Sequence, residues 1–183
     1  MKRVALTTIC IALFSVGGFA QVNARRENQQ DRIAQGVQSG QLTPGETANL
    51  ENNERALNGE IRHDRATDNG KLTPAERARI NRQQNRLSNQ IYRDKHNGAV
   101  DHFGNSEVGK RQENQQDRIA QGIKSGHLTA GQTANLESRE TGLNREVRAD
   151  RRANGGSLTP GERKQVNGQQ NRLSRAIYKD KHS

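Results

Sequence analysis

The stretch NGKLTPAER, Asn69 to Arg77, occurs in four versions in this chain. The others are SGQLTPGET from Ser39, SGHLTAGQT from Ser125 and GGSLTPGER from Gly155. Each carries a glycine (Gly40, Gly70, Gly126, Gly156), then a leucine (Leu42, Leu72, Leu128, Leu158), then a threonine (Thr43, Thr73, Thr129, Thr159). Glycine suits the left-handed residue that closes a helix, because it lacks the Cβ that clashes there. Threonine accepts a hydrogen bond from the free amides that open the next helix. Three residues beyond each threonine stands Glu46, Glu76, Gln132 or Glu162, whose side chain reaches back to the threonine amide in a capping box. All three prolines, Pro44, Pro74 and Pro160, directly follow one of these threonines. At that first helical position a missing N–H costs nothing. The unit therefore reads as a stop and a start between two helices, with the leucine tucked against them.

The segments between these signals have a matching period. Ile33/Val37, Leu57/Ile61 and Leu87/Ile91 are spaced by four, and so are Ile119/Ile123, Leu143/Val147 and Leu173/Ile177. Four-residue spacing marks one face of an α-helix. Leu50 and Ile80, with Leu136 and Val166 at the corresponding places downstream, lengthen two of these stripes. No stretch shows the alternation of a strand. The pattern predicts helices near 25–38, 44–67, 74–96, 108–124, 130–153 and 160–181.

A duplication organises them. Residues 27–97 align without a gap on 113–183, with 45 identities in 71 positions, and ENQQDRIAQG opens both copies. The fold class expected is all-α: two tandem copies of a three-helix unit, an elongated helical repeat. The predicted segments are 21–97 for copy one, 98–109 for a linker and 110–183 for copy two. Both ends carry matching surfaces, which makes head-to-tail self-association an expected partner mode.

The first twenty residues differ from the rest. A basic start, an apolar run and small residues at Gly18 and Ala20 predict a signal peptide, 1–20, and export to the periplasm or the exterior. Cleavage removes the single cysteine, Cys10, so disulfide stapling, thiol catalysis and thiolate metal sites are excluded from the mature chain. It also removes Lys2 and Arg3, leaving 28 basic against 20 acidic residues, a formal +8. No transmembrane segment is expected after cleavage. Of the 163 remaining residues only 24 are Leu, Ile, Val or Phe, about 15%, under the roughly 20% below which disorder becomes a serious expectation. A large core is excluded; thin helical packing is what such a composition supports.

No catalytic constellation and no cofactor motif appears, so no enzyme is expected. Glu51 with Arg55, and Glu76 with Arg79, read as solvated pairs at helical spacing. The candidate metal ligands are His96, Asp101 and His102. The recurring amides, NQQ at 28–30 and 114–116, RQQN at 82–85 and GQQN at 168–171, are placed to bond between helices. The positive charge points to anionic envelope polymers as partners. Specific nucleic-acid recognition is not expected, since the chain has almost no stacking aromatics and no reading motif.

Two family resemblances rest on the same loops. Gly70, Leu72 and Glu76 match positions six, eight and twelve of a calcium loop, as do Gly40/Leu42/Glu46 and Gly156/Leu158/Glu162. The units thus resemble EF-hand helix-loop-helix repeats. Ligand positions one, three and five hold Arg65, Thr67 and Asn69 in the best case, so the resemblance implies calcium-dead loops, at most a cation-responsive protein. Leu128-Thr129-Ala130-Gly131-Gln132 resembles the LTxxQ motif of the Spy and CpxP group of periplasmic stress proteins. That resemblance implies an ATP-independent chaperone with unfolded clients as partners. The residues by themselves imply a non-enzymatic structural or interaction protein.

Overall fold

In the computed structural model, which describes residues 17–100 and 103–183, the chain forms six helices. They are α1 (Gly17–Gln38), α2 (Pro44–Thr67), α3 (Pro74–Lys95), α4 (Glu107–Lys124), α5 (Ala130–Ala153) and α6 (Pro160–Lys181). Among the described residues there is no strand. Most of the predicted signal segment lies outside the described residues, as do Asp101 and His102. None of the described helices is long and apolar enough to cross a membrane.

Helix starts follow from the threonines. Thr43, Thr73, Thr129 and Thr159 each accept from the backbone N–H of Glu46, Glu76, Gln132 or Glu162, and each capping box is complete. The reciprocal bonds from the threonine amides measure 2.7–2.9 Å. In Glu76 and Glu162 this bond holds the carboxyl below the usual carboxylate range. A fifth start lacks the loop signature: Ser106 caps α4 by accepting from the Gly109 amide at 3.1 Å.

The stops are of two kinds. Gly40 and Gly126 take up the left-handed conformation, and Leu42 and Leu128 then donate back to Gly36 and Gly122 at 3.0 Å. In the other two loops the left-handed turn begins one residue earlier, at Asn69 and Gly155, and continues through Gly70 and Gly156. Gly70 and Gly156 were expected to follow the cap directly. Instead Asp68 and Asn154 are the caps, and each glycine amide reaches five residues back, to Arg65 and Arg151.

Every aliphatic position of the predicted stripes is buried. The central cluster draws Ile33, Val37, Leu42, Leu50, Leu87 and Ile91 from copy one, and Ile119, Ile123, Leu128, Leu136, Leu173 and Ile177 from copy two. Two smaller clusters flank it. Val22, Leu57, Ile61, Leu72 and Ile80 form the first; Val108, Leu143, Val147 and Val166, with Leu158 against them, form the second. Val22 explains why α1 extends N-terminal of the predicted 25. Its counterpart Val108 brings the last residues of the predicted linker into the core.

The two copies meet through equivalent helices: α2 packs on α5 and α1 on α4, while α3 and α6 cover their own copies. A Cβ on Gly45 would lie 3.7 Å from Thr141, and one on Gly131 3.2 Å from Arg55, so α2 and α5 run in opposite directions. Leu50 and Leu136 stand midway between those contacts and are fully buried. This is the geometry of a two-fold symmetric dimer interface, made here within one chain.

Gly36 and Gly122 serve a purpose that helix propensity does not suggest. A Cβ at either would come within 2.6 Å of Cγ of Leu42 or Leu128, the leucines that fold back onto them. Gly59 and Gly142, also inside helices, have nothing within 4 Å. Replacing a helical glycine by alanine ordinarily stabilises by up to about 1 kcal/mol, whereas overpacking a core contact costs about 1–3 kcal/mol. Gly59→Ala and Gly142→Ala are therefore expected to raise the melting temperature, and Gly36→Ala and Gly122→Ala to lower it. Thermal denaturation followed by circular dichroism checks both signs.

Candidate functional site

A core this poor in apolar residues is completed by polar ones. The recurring amides bridge helices. Gln29 donates to the Gln84 carbonyl at 2.8 Å and to Ser88 Oγ at 2.9 Å, tying α1 to α3. Gln84 in turn donates to the Val22 carbonyl at 3.0 Å. Copy two repeats the set: Gln115 donates to the Gln170 carbonyl and Ser174 Oγ, each at 2.8 Å, and Gln170 donates to the Val108 carbonyl at 2.9 Å. Such bonds fix rotation and register, since a slip of one residue leaves a buried amide without its partner.

Four glutamates are buried as well. Glu51 and Glu54 on α2, and their counterparts Glu137 and Glu140 on α5, are at most 1% exposed. Glu51 accepts from Gln30 Nε2 at 3.3 Å and Glu137 from Gln116 Nε2 at 2.9 Å. Oε1 of Glu51 and Oε2 of Glu54 have no hydrogen-bond partner. Burial pushes the Glu51 carboxyl up to about 8, against the bond from Gln30 and with the help of neighbouring Glu54. It pushes Glu54 up to about 7, against the charge of Arg26 and the bond from Asn58.

This corrects the reading of Glu51 with Arg55 as a solvated pair: Glu51 is buried and bonded to Gln30, while Arg55 is exposed. Arg79, expected beside Glu76, bonds instead to Glu60 and, at 2.7 Å, to Asp64. The signal was present. Thr47, Leu50, Glu54, Leu57, Ile61 and Asp64 follow one another at three- and four-residue steps, Glu51 lies four residues after Thr47, and all are buried. The glutamates continue the apolar stripe, so their phase in the helix outweighed the basic residue nearby.

Beside these carboxylates lies a cleft of about 830 Å³, between α1 and α2 of copy one and the α4–α5 turn of copy two. Arg26, Arg55, Arg62 and Lys124 line it, and Glu54 reaches it from the core. Thr129, Ala130 and Gly131, the start of α5, close one side. The loop glycines, leucines and capping residues singled out in the sequence thus serve mainly to place helix ends, and one of the four loops also helps to form a cleft.

The candidate metal ligands are not brought together in the described residues. Asp101 and His102 lie outside them, and His96 Nδ1 is engaged with the Tyr92 carbonyl at 2.7 Å. Among the described residues no group of three or more His, Cys, Asp or Glu side chains is placed to hold a metal ion. His96 and its counterpart His182 instead stack on Tyr92 and Tyr178, with ring centroids 4.2 Å apart in both copies. No family model, curated protein or solved structure matches the chain.

The buried glutamates give stability an unusual pH dependence. The folded-state pKa values of Glu51 and Glu54 lie above the ordinary 4.5, so the fold favours their protonated form. Their stabilising contribution is complete below about pH 4.5 and is lost as pH rises through 7 and 8. Each pKa unit corresponds to about 1.4 kcal/mol. The melting temperature is expected to be higher at pH 5.5 than at pH 9, within the window set by those values. Glu51→Gln, which keeps the shape and removes the charge, should raise stability at the alkaline end and flatten the profile. A melting series across pH on both proteins measures this.

Proposed function

We propose that the protein is an exported, non-enzymatic helical protein that works by binding anionic polymers of the bacterial envelope or exterior. The observation that carries this reading is how charge and apolar surface are divided. The described aliphatic residues are nearly all spent inside: the large hydrophobic side chains left exposed are Tyr92, Val100 and Tyr178. A surface so lacking in apolar patches offers little to an unfolded client, whose capture depends on apolar contact. What the exterior does present is basic charge, 30 lysines and arginines against 20 acids over the whole sequence, with five of those acids buried. A field of that sign attracts polyanions and raises their local concentration.

Binding of this kind releases counterions, so it weakens as salt rises. Titration of the protein with a sulfated polysaccharide at a series of salt concentrations is expected to give a linear fall of log affinity with log salt. An affinity independent of salt, or none at low salt, would set the reading aside. Turbidity of a reduced, aggregating client protein provides the opposing check: little suppression is expected at equimolar ratio.

A further inference from the structure

The pseudo-two-fold axis provides an internal comparison. The duplication places the same frame at two positions, and the cleft described above occupies one of them. At the other position the counterparts of Arg26, Arg55 and Lys124 are Gln112, Thr141 and Gln38; only Arg62 keeps its charge, as Arg148. The acids do not differ: Glu27, Asp31 and Glu54 recur as Glu113, Asp117 and Glu140. The acids therefore belong to the shared frame, and three of the four cations are particular to one cleft. Gln112 also donates to Asn144 Oδ1, a bond that Arg26 does not make to Asn58.

Glu27, Asp31 and Glu54 line the same cleft, but most of its cations are not paired with them. Arg26 faces Glu54, but Arg55, Arg62 and Lys124 make no salt bridge and no side-chain hydrogen bond with any described residue. They come from different helices, α2 and α4, while Arg26 comes from α1. The stem of Arg55 lies over Gly131, which sets its guanidinium beside the first turn of α5. Helix amides there add partial positive charge. On the core side, Oε2 of buried Glu54 has no hydrogen-bond partner among the described residues. Burial pushes this carboxyl up to about 7, which weakens the negative charge that an anion in the cleft would meet from the core side.

We propose that this cleft is an anion site that takes a phosphate- or sulfate-bearing stretch of polysaccharide, gripped by Arg26, Arg55, Arg62 and Lys124. The proposal rests on the polyanion reading above and gives it a location. Guanidinium forks match tetrahedral oxyanions through paired hydrogen bonds. Gln30, Asn58 and Ser125 on the walls offer partners for sugar hydroxyls. Among the described residues no aromatic side chain lines the cleft to offer the stacking that single-stranded nucleic acid uses. Its volume falls in the range of ordinary ligand pockets.

The duplication also supplies the test. The variant Arg26→Gln/Arg55→Thr/Lys124→Gln carries residues that the same fold already holds at the equivalent positions. The control Arg139→Asn/Lys164→Ala/Arg175→Asn removes the same charge by the same rule, outside the cleft. Both full-chain variants and the parent are titrated calorimetrically with a short sulfated heparin oligosaccharide, with linear polyphosphate and with single-stranded oligothymidylate, after melting curves confirm that they fold. The cleft variant is expected to lose on the order of tenfold or more in affinity for the oligosaccharide, as for several lost charge-assisted bonds. The control should lose less than about threefold, as for screened long-range charge. Equal losses in both variants would overturn the site and leave diffuse polyanion binding standing. A parent that binds no polyanion would overturn the underlying reading itself. Tighter binding of polyphosphate than of the oligosaccharide, with the same variant response, would identify the phosphate source. Preference for the oligothymidylate would overturn the polysaccharide assignment.

Discussion

The packing of α2 on α5 about Leu50 and Leu136 is the contact on which the fold depends. A chain with so few large apolar side chains cannot enclose a core within one three-helix unit. The central cluster is therefore shared, taking the same positions from each copy. Each fully buried leucine or isoleucine contributes about 1.5–3 kcal/mol, and those at the shared face gain that only when both copies are present. The flanking clusters, one per copy, are too small to stand in for it. What looks in sequence like two beads on a string is one body whose halves complete each other, with an interface of the kind found in two-fold symmetric dimers.

Scarcity of apolar residues also explains what fills the gaps. Glutamines at 29, 84, 115 and 170 and glutamates at 51, 54, 137 and 140 occupy positions that leucine would take in a richer core. The amide NH2 groups there donate to backbone carbonyls of neighbouring helices and so specify register, while each Oε1 is buried without a hydrogen-bond partner among the described residues. The carboxylates are different. At Glu51 and Glu54 desolvation disfavours the ionised form more than the neighbouring amides favour it, so α2 packs best when these two carboxyls are neutral. Stability and ionisation are thereby linked at the contact that organises the molecule.

Symmetry inside a chain separates what the fold requires from what it tolerates. Positions that repeat in both copies, such as the capping threonines, the stripe residues, the bridging glutamines and the buried glutamates, are those the architecture uses twice. Differences between copies are concentrated on the exterior, where packing leaves the side chain undetermined. Arg26, Arg55 and Lys124 belong to this second group, and they surround the cleft next to the start of α5. A functional site in such a molecule is recognisable by where the two halves depart from each other.

The helices, their starts and the duplication were legible in the sequence because they rest on local physics. A threonine, a proline and a glutamate at fixed spacing satisfy the free amides of a helix end wherever the chain lies. The four-residue stripes named the buried aliphatics for the same reason. The left-handed turns after Asp68 and Asn154 were displaced by one residue because Asn69 tolerates that conformation and Gly155 provides it, so the choice among neighbours fell to the hydrogen bonds of the turn. The extra turns of α1 came from Val22, which finds its partners on other helices. Most of all, the burial of Glu51 and Glu54 and the gathering of four cations around one cleft required knowing which faces meet. Sequence determines the face a residue occupies on its own helix; only the antiparallel crossing of α2 and α5 decides whether that face meets solvent, lipophilic side chains or another charge.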